Sequence, residues 1–220
     1  MKNSIFTLVL ASTVVSSAAS ANELDVGLRV GSQIATDTSF DALQDSNYLT
    51  YSTLQIGYGL SGSLDGLRLF FAYDSSTIPS QERLLGQVDL EWTRYRFMLG
   101  GEYGPTLWNH IKPLAGVAVG YALQDLTVRA QDVRSDFTHD LAVEGFLGLD
   151  YVTTIAQWET GQKLNLYAGG RLGWQMQTEA RFDELDSDAD DEWSRVNNDL
   201  GVLDTDGMFW NLGVGLSFAF

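Results

Sequence analysis

The chain has 220 residues, no cysteine, and 13 Lys and Arg against 29 Asp and Glu, a formal net charge of -16 at pH 7. That length suits one domain, and the charge excludes a nucleic-acid binder, which needs a basic face for the phosphates. Without cysteine there are no disulfides and no thiolate metal sites, so stability must come from packing and strand pairing.

The first element reads as a leader. Lys2 gives a positive start, Ile5 to Val15 is an apolar run broken only by small polar residues, and Ala19-Ser20-Ala21 is a small-x-small cleavage pattern. A signal peptide over 1–21 is expected, followed by one domain over 22–220. The run is shorter than the ~20 residues a spanning helix needs, and no later stretch is long and apolar enough for one. Any membrane insertion must therefore be as a closed barrel. A mean hydropathy of -0.07 is compatible with that, because barrel strands alternate and their loops are polar.

Alternation then recurs in segments of roughly ten residues, the periodicity of strands. The first sets Leu24, Val26, Leu28 and Val30 against Asp25, Gly27, Arg29 and Gly31. The second, about Leu49 to Leu60, sets Leu54, Ile56 and Tyr58 against Gln55, Gly57 and Gly59, and a Gly/Ser/Asp turn follows at Ser61 to Gly66. Leu67, Leu69, Phe71 and Tyr73 line the third. The fourth, about Leu85 to Tyr103, changes phase between Trp92 and Tyr95, which predicts a bulge near Thr93 to Tyr95 or an upper half clear of the membrane.

After the turn Gly104-Pro105-Thr106, the fifth strand sets Ala115, Val117, Val119 and Tyr121 against Leu114, Gly116, Ala118 and Gly120. The sixth sets Leu141, Val143, Leu147, Leu149 and Tyr151 against Asp140, Glu144, Phe146 and Asp150; the connector Thr153 to Lys163 is longer than a barrel turn needs. The seventh sets Leu166, Ala168, Leu172 and Trp174 against Tyr167, Gly169, Arg171 and Gly173. A long acidic segment, Arg181 to Asp206, precedes the last strand, where Trp210, Leu212, Val214, Leu216, Phe218 and Phe220 alternate with Asn211, Gly213, Gly215, Ser217 and Ala219.

Alternation does not say which face is inside; the composition of the second face does. A solvent face would carry Lys, Glu and Thr, whereas this one is rich in Gly, Ala, Ser, Asn and Gln, and glycine only weakens an exposed strand. Inside an eight-stranded barrel, small residues make room for a few large ones. The reading is thus all-β: an eight-stranded antiparallel up-and-down transmembrane β-barrel with its apolar face to lipid.

The leader, the eight segments and the terminal Trp210, Leu212, Val214, Leu216, Phe218, Phe220 pattern resemble the small Gram-negative outer-membrane barrels of the OmpA/OmpX-like superfamily. The resemblance implies a monomer in the cell outer membrane, in contact with outer-membrane lipids and lipopolysaccharide, and a C-terminal strand read by the barrel-assembly machinery. Unlike the two-domain members, the chain is expected to carry no peptidoglycan-binding domain. The family includes adhesins, small channels and lipid A enzymes, so membership chooses no role.

Arg29, Arg68, Arg96, Glu102, Lys112, Glu144, Asp150 and Arg171 fall on the lumen face. A buried charge needs a partner, so a structural ion-pair network plugging the barrel is expected, with a proton or ion path as its rival. Glu144 and Arg171 lie near mid-strand on neighbouring strands. His139 has Ser135, Asp136 and Asp140 close in sequence, the ingredients of a triad, but geometry decides such a device. No catalytic residue and no cofactor are assigned. Asp186, Asp188 and Asp190 imitate the start of a calcium loop, but Asp191 replaces its glycine and Asn197 its bidentate Glu, so no specific metal site is expected.

Overall fold

A computed structural model describes residues 23–36, 48–60, 64, 66–79, 90–105, 107, 110–128, 133–134, 138–178, 180–181, 202–203 and 205–220. The expected signal peptide, the calcium-like stretch, Ser135 and Asp136 lie outside them. Eight long strands form the barrel: β1 (Glu23–Ala35), β2 (Tyr48–Gly59), β3 (Leu67–Pro79), β4 (Leu90–Tyr103), β5 (Ile111–Val128), β6 (Thr138–Gln157), β7 (Lys163–Gln177) and β8 (Gly207–Ala219). Two short ladders extend it, Val133–Arg134 on the end of β5 and Ala180–Arg181 with Val202–Leu203.

Every neighbouring pair is antiparallel. The order β4-β3-β2-β1-β8-β7-β6-β5 closes on itself through β4 and β5, so no strand edge of the barrel is left unpaired. β1 and β8 seal the chain ends together from Glu23↔Ala219 to Ala35↔Gly207. The short connectors after β2, β4 and β6 lie at the end holding Glu23 and Phe220, and the long ones at the other.

The strands are inside-out relative to a water-soluble protein. Leu28 is 62 % exposed and Leu147 68 %, while Gln33, Gln55 and Gln124 are fully buried. All six outward residues of the terminal pattern stand on the wall, where Phe218 packs edge-on against Trp158 with centroids 5.9 Å apart. A wall apolar outside and polar within, with every strand paired, is the architecture of an outer-membrane type barrel.

Two expectations are corrected. β4 runs in unbroken register against β3 and β5, with no bulge at Thr93 to Tyr95. Trp92 instead points into the lumen, fully buried, its indole N–H donating to Gln124 Oε1 at 3.1 Å. Nor is the connector after β6 long. β6 reaches Gln157, absorbing one residue in a bulge between Thr154 and Ala156, and the chain reverses over 158–162 with Gly161 at φ 91°. The left-handed conformation there is one that glycine adopts without a Cβ penalty.

Candidate functional site in the barrel lumen

The inward faces of the strands stack three layers between the short-turn end and the loop end. Nearest the short turns is a charged web. Arg68 stands in register beside Glu102 on the β3–β4 hairpin and pairs with it; Glu102 reaches across the lumen with its other oxygen to Arg171 of β7. Arg68 Nη1 lies 3.2 Å from Asp25, and Asp150 lies 3.8 Å from both Arg68 and Arg29. Lys112 is half-buried at the mouth, in register opposite Asp150.

Small residues make this web possible. A Cβ on Gly57 would overlap the Asp25 carboxylate, and one on Gly27 or Gly215 would overlap the ring or hydroxyl of Tyr167, which crosses that level from β7. Inward glycines are thus the sockets for the large lumen side chains.

Above the web lies an apolar layer, with Phe70, Phe146, Phe209, Met98 and Tyr51 among its buried members. The Phe70 and Phe146 ring centroids are 6.0 Å apart. The layer is capped by cations on both sides: the Arg171 guanidinium lies 4.4 Å from the Phe146 centroid, and that of Arg96 lies 5.7 Å from the Tyr51 centroid.

The third layer, toward the loops, rests on hydrogen bonds. Arg96 Nε donates to both oxygens of Asp74, at 2.8 and 3.1 Å, its Nη1 donates to Gln175, and Glu144 lies 3.8 Å away. Gln124 Nε2 donates to Asp140 Oδ2 at 2.8 Å. Arg94 Nη1 and Nη2 share the Gln33 Oε1 atom, and Gln33 donates to the backbone carbonyl of Thr205.

The structure therefore places Arg29, Arg68, Glu102, Asp150 and Arg171 together on the short-turn side, and Arg96 with Glu144 on the loop side. It does not pair Glu144 with Arg171: the strands bring Arg171 opposite Gly148 and Glu144 opposite Gln175, and the partner of Arg171 is Glu102. Residues missed by the sequence reading include Asp25, Asp74 and Arg94, although two-residue periodicity puts Asp25 on the face of Arg29. Asp74 stands opposite Arg96 in register.

The histidines lie on the outer side of the wall. His139 stacks on Tyr121 with centroids 5.5 Å apart, whereas its neighbour Asp140 points into the lumen, as adjacent residues of a strand must. They cannot share a proton relay in this conformation. His110 stacks on Tyr151 beside the Val152 carbonyl. Among the described residues no group of three or more His, Asp or Glu is arranged to hold a metal.

No protein-family model and no curated protein matches the chain. Several solved structures are similar to it. Neisserial surface protein A is 13% identical over 90% of this chain and 96% of its own, with a TM-score of 0.47. Ail, the attachment invasion locus protein of Yersinia pestis, is 10% identical over 90% and 99%, with a TM-score of 0.46. The outer membrane protein OprG from Pseudomonas aeruginosa is 13% identical over 91% and 97%, with a TM-score of 0.43.

Proposed function

We propose that the chain serves the cell outer membrane as a structural and interaction protein: a plugged barrel that holds acidic loops outward for a partner. The observation that carries this reading is the apolar layer across the lumen, with Arg171 on one side and Arg96 on the other. An ion crossing it would lose hydration among packed rings, and a cation would also meet the guanidiniums of Arg171 and Arg96 on either side. Its wall meets outer-membrane lipids and lipopolysaccharide, its terminal strand from Trp210 to Phe220 serves the barrel-assembly machinery, and the closed sheet supports a monomer. No chemistry is assigned to it, a reading supported by the opposite orientations of His139 and Asp140.

Planar-bilayer recording tests the plug. The unaltered protein is expected to give no steady conductance, and the double variant Phe70→Ala/Phe146→Ala to give frequent openings. A steady, large conductance from the unaltered protein overturns the plug. Location is tested by comparing boiled and unboiled outer-membrane fractions on a gel, where a closed barrel migrates differently before unfolding.

A further inference from the structure

The geometry points to a binding site for a small oxyanion of carboxylate size in the loop-side lumen, centred on Arg94. The other lumen guanidiniums each have a carboxylate within 3.8 Å: Arg29 at Asp150, Arg68 at Asp25, Arg96 at Asp74, and Arg171 at Glu102. Arg94 is fully buried, yet among the described residues no carboxylate reaches it. Its acceptor is one neutral oxygen, Gln33 Oε1, at 3.2 and 3.1 Å, and its Nε–H has none.

Two more orphaned groups belong to the same neighbourhood. Gln33 donates to the Thr205 carbonyl, which brings Thr205 to this level, and the buried Thr205 hydroxyl has no partner. Gln177 donates its backbone N–H to Asp206, the next residue along, and its side-chain Nε2 lacks an acceptor. All three unfilled groups, Arg94 Nε, Thr205 Oγ1 and Gln177 Nε2, have a hydrogen to donate.

The acids at this level are committed elsewhere. Asp140 Oδ2 accepts from Gln124 and Thr138, both at 2.8 Å; Asp206 accepts from Gln177; Asp74 and Glu144 face Arg96; and Asp125 has an interaction of its own. Arg94 has the Trp92 ring, with its centroid 5.6 Å away, in place of a contacting carboxylate. A buried cation without a contacting counter-charge is costly, and unfilled buried donors call for an acceptor. A planar oxyanion supplies both at once, matching the guanidinium edge while its second oxygen takes a neighbouring donor. The site lies toward the end of the barrel opposite the short turns, so its ligand arrives from that end. Such a site can bind its ligand whether or not the lumen conducts.

The test uses the full barrel refolded in detergent micelles, with the arginine Nε–H signals resolved by nitrogen NMR and sodium formate as probe, titrated at constant ionic strength against chloride. The Arg94 Nε–H signal is expected to shift saturably with formate. Thr205→Val should weaken the apparent affinity by about two- to tenfold, the worth of one hydrogen bond. Arg94→Met removes the assigned signal, so for that variant the readout is the formate-dependent rise in thermal unfolding midpoint, which it should abolish. A shift linear in formate, an equal response in Thr205→Val, or an ion pair between Arg94 and a carboxylate of this chain in formate-free buffer would each overturn the site.

Discussion

The short-turn half and the loop-side half of the lumen are both polar, yet they are assembled on different principles. Below the apolar layer, charges are shared: Glu102 serves Arg68 and Arg171, and Asp150 stands between Arg29 and Arg68. Above it, Arg96 is gripped by Asp74 through two contacts to a single nitrogen, and the amides of Gln33, Gln124 and Gln175 do much of the joining. A shared web couples its members, so one neutralised acid unbalances several cations. A set of discrete bonds confines the damage.

Glu102→Gln is the sharpest way to break that contrast. It leaves Arg68 and Arg171 buried with one counter-charge fewer and should lower the unfolding free energy by about 3–5 kcal/mol, read by urea unfolding in lipid vesicles. Adding Arg171→Met to it should restore part of the loss, because the surplus cation goes with its partner. If the two single losses simply added, the web would not be coupled. On the loop side, Asp74→Asn keeps an acceptor for Arg96 and leaves Glu144 as its counter-charge, so the cost should be smaller, about 1.5–3 kcal/mol for a hydrogen bond to a charged group.

These contacts differ in how readable they were from sequence. The strands and their lipid face followed from period two and from glycine on the second face. Arg68–Glu102 and Asp74–Arg96 are also local, since each is a register pair of the β3–β4 hairpin. Glu102–Arg171 and Arg94–Gln33 are not, because they span the lumen and depend on how the closed sheet staggers. Trp92 defeated the pattern for another reason. Apolarity marks the lipid face only on average, and a lumen with a hydrogen-bond acceptor at Gln124 accepts an indole there. The apolar layer was hidden in the same way, since Phe70, Phe146 and Phe209 occupy positions the alternation assigns to the polar face.

The mildest comparison sets two adjacent residues of β6 against each other. Asp140 faces the loop-side lumen and accepts from Gln124 and Thr138, so Asp140→Asn, which puts an amide where a carboxylate accepted two donors, should cost about 1–2 kcal/mol. His139 faces outward against Tyr121, and His139→Ala should cost about 0.5 kcal/mol or less. Lipid A mass spectra of cells overproducing the unaltered and His139→Ala proteins should be identical, because a histidine on the outer wall and an acid on the inner one do not form a relay. A lipid A change that required His139 would show that the wall carries chemistry, and the division of labour between an inert exterior and a bonded interior would fail.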